Sequence, residues 1–328
     1  MRYVVIGAGA IGGVVAARLH EAGRDVLAVA RGAHLAAIRE HGLLLDEPDG
    51  SRTVRLAVAG AVREVDWRPD DVVLLCTKTQ DSEALLDELR AAAPDVAVAC
   101  VQNGVANERM AAQRFERVQG VYVMVPAEHL EPGRVIGFSA PVAGVLDVGR
   151  YPAGADELST RIADDLTAAG YSSRAVAAIM PWKYSKLLVN LGNAADAACG
   201  SDDPDLRELN ERAHAEGERC LAAAGIAFTS RADVRERRTG NVSVRPAGGR
   251  DRPGGSSTWQ SLHRGSGSVE AEHLNGEIVA LGRAHGVPTP VNEVLLRTVT
   301  AMARDGEPAG SRTARGLLTE ADRATDRA

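Results

Sequence analysis

The sequence predicts a doubly wound α/β domain followed by an all-α domain. Three observations predict it. Short apolar strands alternate with helical segments over the first hundred residues, a glycine-rich turn joins the first strand to the first helix, and from about residue 155 long helical periodicities take over. Alternation at this pace implies a parallel sheet with helices on both faces.

Residues 2–6 (RYVVI) form the first strand, and a helix runs from the glycine turn to Ala22, where Gly23 ends it. Strand Asp25–Ala30, helix Ala33–Glu40, strand Val72–Cys76, helix Ser82–Ala92 and strand Val96–Cys100 continue the series. Residues 43–58, with DEPDG at their middle, read as an inserted hairpin. Residues 118–148 are strand-rich with turns at EPG and SAP, and predict an antiparallel continuation of the sheet. Helices are expected at Ala155–Ala169, Ala178–Ala198, Pro204–Ala224, Val269–Ala284 and Pro290–Ala303. Arg245–Ser268, rich in Gly, Ser, Arg and Pro, reads as a mobile loop. The expected organisation is a first domain over 1–175, a helical domain over 176–304 and a polar tail over 305–328.

Composition narrows the function classes. The chain has 328 residues and a formal net charge of −6, with its basic residues scattered, so no footprint for nucleic acid or a membrane surface is expected. The first residues read as a strand and not a signal peptide, and no run reaches the length of a membrane span. Cys76, Cys100, Cys199 and Cys220 have neither disulfide nor metal-ligand spacing, and they predict reduced core thiols of a cytoplasmic protein. Of 38 basic residues only Lys78, Lys183 and Lys186 are lysines. A chain that writes almost every cation as arginine marks out the places where a compact charge with a movable pKa is kept.

Gly7-Ala8-Gly9-Ala10-Ile11-Gly12 is G-x-G-x-x-G, placed between a strand and a helix as a Rossmann-type dinucleotide site requires. Gly7 permits the turn, Gly9 lets a pyrophosphate approach and Gly12 lets helix and strand pack. The helix start at Ala10 and Ile11 offers unpaired N–H groups to the phosphates. At the end of the second strand, where NAD sites carry Asp or Glu, the chain reads VLAVARGAH. Arg31 stands there instead, which suits a 2′-phosphate and predicts NADP(H).

In the segment from Trp182 to Asn193, helical spacing puts Lys186, Asn190 and Asn193 within one arc, with Lys183 on its edge and apolar residues elsewhere. Burying such groups costs free energy unless partners wait for them, so the stripe predicts a site.

From Met1 to about Ala303 the chain resembles the ketopantoate reductase family, which reduces 2-dehydropantoate to pantoate with NADPH. The resemblance rests on GAGAIGG, Arg31, Lys78-Thr79-Gln80, Gln102-Asn103-Gly104, KLLVN at 186–190, Ser256-Ser257, and Glu270 five residues before Asn275. It implies a Rossmann domain, a helical domain and a site in the cleft. It also implies that Lys186 is the general acid, its pKa brought towards neutrality, and that Glu270 binds the substrate hydroxyl and positions Lys186. Asn103, Asn190 and Ser257 would hold the substrate, with Asn193 beside them on the stripe. Lys78, Gln80 and Asn103 would lie by the cofactor, and no metal is called for. The partner expected is a small 2-keto acid; a homodimer is compatible with the sequence.

Three positions depart from the family pattern: Ala194 stands where a further asparagine is common, Ser261 where an acid is frequent, and Trp182 is farther than usual from Lys186. Lys183 therefore stays a rival for the catalytic role. The exact keto acid stays open too, beside a 2-hydroxy-acid or opine-type dehydrogenase and an NADP(H)-sensing protein without chemistry.

Overall fold

The computed structural model describes residues 1–265 and 267–326. Ser266 of the expected loop and the last two residues of the expected tail lie outside the described residues. The chain divides into two compact units, residues 1–183 with 230–253, and residues 184–229 with 254–328.

The first unit begins β1 (Arg2–Ile6), α1 (Ala10–Glu21), β2 (Asp25–Val29), α2 (Gly32–His41), β3 (Leu43–Glu47), β4 (Gly50–Val54) and β5 (Ala57–Ala59). It continues with β6 (Asp71–Leu75), α3 (Ser82–Ala92), β7 (Ala97–Cys100), α4 (Ala106–Ala112), β8 (Val118–Met124), β9 (Ala127–Glu128), β10 (Arg134–Gly137), β11 (Val145–Arg150) and α5 (Glu157–Ala168). Its main sheet has the order β11-β8-β7-β6-β1-β2-β5, parallel except for β11. Both faces are covered: along β1, Tyr3 and Val5 enter one core while Val4 and Ile6 enter the other. This is why its strands read as unbroken apolar runs. The chain runs outward from β1 on one side and from β6 on the other, so a switch point lies at their carboxyl ends, where such sheets bind ligands.

The expected hairpin at 43–58 is β3 paired with β4, and its strands end at Val54 because Ala57–Ala59 leaves to join β2. The expected antiparallel continuation is only partly right. β11 does pair antiparallel with β8, but β10 pairs parallel with β3 and β9 joins β10, making a second sheet β4-β3-β10-β9. Helix α1 packs against this second sheet as well as the first, and Gly13 allows it: an added Cβ would lie 2.7 Å from Val135.

α6 (Ile179–Asn190) carries the boundary between Lys183 and Tyr184, and is followed by α7 (Gly192–Cys199) and α8 (Leu206–Ala223). The helix expected over Ala178–Ala198 is thus broken at Leu191. Asn275 Nδ2 donates to the Leu191 carbonyl at 3.1 Å, and Gly192 sits so close to α8 that a Cβ would lie 2.9 Å from Asn210 Oδ1. α9 (Arg231–Arg238) returns to the first unit, where the Arg237 guanidinium holds the fully buried Asp147 carboxylate at 2.6 and 2.8 Å. The expected boundary near 175 differs from this partition because residues 230–253 go back to the sheet unit.

The second unit resumes with α10 (Ser257–His263), a short 3-10 turn Glu270–His273, α11 (Asn275–His285), α12 (Pro290–Asp305) and α13 (Ala314–Thr325). The loop expected over Arg245–Ser268 contains α10, started by the Ser256 hydroxyl accepting from Trp259 N. Residues 244–250 bridge to Ser139 and turn back on themselves. The helix expected from Val269 starts as the 3-10 turn and becomes α-helical only after Leu274. The expected polar tail holds α13, which buries Ala314, Leu317, Leu318 and Ala321 against α12 and α8. Those four fall at i, i+3, i+4 and i+7, one apolar stripe on a helix otherwise charged. No described helix is long and apolar enough to cross a membrane.

Candidate active site

The glycine turn is shaped by contacts that no side chain could share. Gly7 has φ of +97°, and a Cβ on it would lie 2.9 Å from Thr77 N; one on Gly12 would lie 2.1 Å from Gly7 O. A Cβ on Gly9 would meet nothing within 4 Å, so that face of the turn opens outward. α1 begins at Ala10 with no side-chain cap, leaving the Ala10, Ile11 and Gly12 amides at the positive end of the helix. The turn borders a cavity of about 630 Å³, lined also by Val29, Arg31, His34 and Gln80. Room for a nucleotide, uncapped amides and a close-packed glycine turn together fit a dinucleotide.

Arg31 precedes α2 with its side chain 78% exposed, 3.6 Å from Asp81. His34 fastens the wall: its Nδ1 accepts from Gly133 N at 2.8 Å, so Nε2 carries the proton and donates to Ala8 O at 2.7 Å. Burial pushes its pKa down, which keeps that neutral tautomer.

The turns after β6 and β7 are tied into one network. Gln102 Nε2 donates to Thr77 O at 2.7 Å and to Ser82 Oγ at 2.9 Å. Asn107 Nδ2 donates to Thr79 Oγ1 at 3.1 Å and to Asn103 O at 3.2 Å. The segment Lys78–Gln80 and residue Asn103, singled out separately in the sequence, are thereby brought together. Asn107 and Ser82, which hold them, carried no sequence signal beyond being polar.

Lys183 has a different fate from the one its place in the stripe suggested. It is only 3% exposed, and three oxygens surround its ammonium: Glu108 Oε1 at 2.7 Å, Gln102 O at 2.9 Å and Val121 O at 3.1 Å. These match its three N–H donors. Gly120 borders the pair: a Cβ on it would be in ordinary contact with the Lys183 chain at 3.5 Å and Glu108 at 3.6 Å, and tight only against Ile179 at 3.3 Å. Burial pushes the Glu108 carboxyl up, opposed by the neighbouring Lys183 charge.

In the second unit Lys186 is half-buried on α6 and Asn190, its last residue, is 4% exposed. The Asn190 Nδ2 is buried with no hydrogen-bond partner. Past the break, Asn193 Nδ2 donates to Ser257 Oγ at 3.3 Å, and Ser256 Oγ donates to Asn193 O at 3.0 Å. Asn193 and Ser257 are therefore side by side. Ala194 is buried in the core, and Ser261 is buried with its hydroxyl donating to Ser257 O at 2.9 Å. Glu270 is half-buried at the start of its 3-10 turn.

Behind the break lies a buried chain the sequence reading missed. Glu216 accepts from Val291 N, Asn292 N and Asn292 Nδ2 at 2.7–3.0 Å, and Asn292 Oδ1 accepts from Asn275, which holds Leu191. It fixes the bend between Asn190 and Asn193. Among the described residues no group of three or more His, Cys, Asp or Glu is placed to hold a metal ion.

The chain matches two family profiles: Ketopantoate reductase PanE/ApbA over residues 3–151 and Ketopantoate reductase PanE/ApbA C terminal over residues 178–303. A 2-dehydropantoate 2-reductase of Halobacterium salinarum is 31% identical over 322 residues, covering 93% of this chain and 100% of the relative. A crystal structure of a PanE/ApbA family ketopantoate reductase from Ralstonia eutropha JMP134 superposes with a TM-score of 0.77 at 26% identity, covering 94% of this chain and 100% of that one. A ternary structure of D-mandelate dehydrogenase with NADH and anilino(oxo)acetate has the same fold, at a TM-score of 0.78 and 22% identity, covering 93% and 99%.

Proposed function

Because the chain belongs to the ketopantoate reductase family, we propose that this oxidoreductase reduces a small branched 2-keto acid, 2-dehydropantoate first, with NADPH. The observation that carries this reading is the Asn190 Nδ2, a buried donor without an acceptor one helical turn after Lys186. Leaving such a group unpaired costs about 1–3 kcal/mol, and an oxygen of the keto acid would satisfy it.

The glycine turn with the Ala10 and Ile11 amides would hold the pyrophosphate, Arg31 the 2′-phosphate, and Lys78, Gln80 and Asn103 the remainder of the cofactor. When bound, the reduced nicotinamide supplies the hydride. Lys186 donates its Nζ proton to the carbonyl oxygen as the C2–H bond forms, and its ammonium stabilises the developing alkoxide. Asn190, Asn193 and Ser257 orient the acid, and Glu270 binds its hydroxyl and positions Lys186. Lys183 is set aside as the donor, because all three of its protons point at fixed protein oxygens.

A second reading, a related 2-hydroxy-acid dehydrogenase, is favoured by Ala194 and Ser261. Neither offers a polar group outward, so the substrate could carry fewer hydroxyls than ketopantoate. The test is oxidation of NADPH and of NADH at 340 nm with ketopantoate beside aliphatic and aryl 2-keto acids. Fast turnover of ketopantoate with NADPH supports the first reading. Activity on an aryl keto acid with NADH, and silence with ketopantoate, would replace it by the second. Arg31→Ala is expected to raise the KM for NADPH by roughly tenfold or more, as loss of a charge-assisted phosphate contact should, and to leave that for NADH near its starting value. Equal effects on both would reject the phosphate role.

A further inference from the structure

We infer that Arg63 is a second cation for the 2′-phosphate of the cofactor, acting with Arg31 to set the preference between phosphorylated and unphosphorylated dinucleotide. The inference rests on the NADP(H) reading above and adds to it a residue that neither the sequence pattern nor the resemblance singles out.

The topology places the two arginines on one wall. β5 lies parallel to β2 with Val29 opposite Ala59, and Ala30 N donates to Ala59 O at 3.1 Å. The turns that leave the two strands therefore emerge side by side at the carboxyl edge of the sheet, one carrying Arg31 and the other Arg63. Both residues line the 630 Å³ cavity that the glycine turn borders.

Arg63 sits on a firm support. The 3-10 turn Val62–Glu64 is anchored by Val62, which is buried, and by Trp67 Nε1 donating to Val62 O at 3.2 Å. The acidic neighbour is drawn away, since Glu64 accepts from Gly60 N at 2.8 Å and faces Arg39 at 3.5 Å. Arg63 is exposed, and its side chain has no ion pair or hydrogen bond among the described residues. The carboxylates lining the cavity, Asp81 and Glu88, come from the opposite wall after β6, and of the two cations only Arg31 is paired, loosely, with Asp81. A dianionic phosphomonoester is the ligand that two guanidinium groups on one wall would select over a ribose hydroxyl.

The test is calorimetric binding of 2′,5′-ADP, 5′-AMP, NADP⁺ and NAD⁺ to wild type, Arg63→Ala and Arg31→Ala, with no turnover required. Arg63→Ala should lose roughly tenfold in affinity for 2′,5′-ADP and NADP⁺ and keep its affinity for 5′-AMP and NAD⁺. Arg63→Lys should recover part of the loss. If wild type prefers 2′,5′-ADP to 5′-AMP and Arg63→Ala binds it unchanged, or weakens both alike, Arg63 is not a phosphate ligand while Arg31 keeps its role. If wild type shows no preference for 2′,5′-ADP, the NADP(H) reading falls and the Arg63 inference falls with it.

Discussion

Lys186→Ala is expected to lower kcat by roughly 10²–10⁴-fold, the range for a lost general acid, with cofactor binding unchanged. The glycine turn, Arg31 and the Lys78–Gln80 segment all belong to the first unit, whereas Lys186 belongs to the second, so removing its ammonium leaves the nucleotide contacts in place. Stopped-flow measurement of hydride transfer beside a fluorescence titration with NADPH separates the two quantities. Partial recovery by added methylamine would identify the missing function as a proton-bearing amine. A variant that keeps its rate of hydride transfer would remove Lys186 from the mechanism.

Much of the fold and part of the candidate site are legible in the sequence. The glycine turn could be read because Gly7 and Gly12 press on each other within six consecutive residues, although Cys76 and Thr77, which also crowd them, come from beyond β6. The polar stripe was readable because helical spacing alone lines up Lys186, Asn190 and Asn193, and the structure sets Asn193 of that stripe beside Ser257, which only the resemblance had singled out. What the sequence hid is set by partners far along the chain. Lys183 looks like Lys186 in periodicity, and what distinguishes it is the set of oxygens from Gln102, Glu108 and Val121, all more than 60 residues away. The break at Leu191 was equally hidden, because the group that holds its carbonyl comes from Asn275. α13 read as a polar tail because its four buried residues include two alanines among charges, a weak stripe until α12 and α8 are there to cover it.

The second large effect concerns the other lysine, and its sign is on stability. Lys183→Met should destabilise the first unit by about 3–5 kcal/mol, because it strands the wholly buried Glu108 carboxylate without its counter-charge. The double variant Lys183→Met with Glu108→Gln should recover most of that loss, since a neutral amide is far cheaper to bury than a carboxylate. Thermal melts of the two variants beside wild type read the difference directly. The contrast between the lysines is the useful result: Lys186→Ala should lose rate and keep its melting temperature, and Lys183→Met should do the reverse. A Lys183→Met protein that melts like wild type but has lost turnover would reverse the assignment.

The return of residues 230–253 to the first unit has a consequence for how the chain is made. A ribosome that has released residues 1–183 has not yet supplied Arg237, without which Asp147 is a buried charge missing its two shortest bonds, nor Arg250, the partner of the buried Glu128. Domains usually form in the order of synthesis, amino-terminal first. Here the amino-terminal one stays incomplete until residue 253 has emerged, by which time residues 184–229 are already waiting outside the exit tunnel. A gene fragment cut after residue 183 should accordingly give an aggregation-prone product, and one continued through residue 253 a more soluble one. The two halves of the molecule are therefore one unit of biosynthesis, and a single crossover near residue 183 would part Asp147 and Glu128 from Arg237 and Arg250.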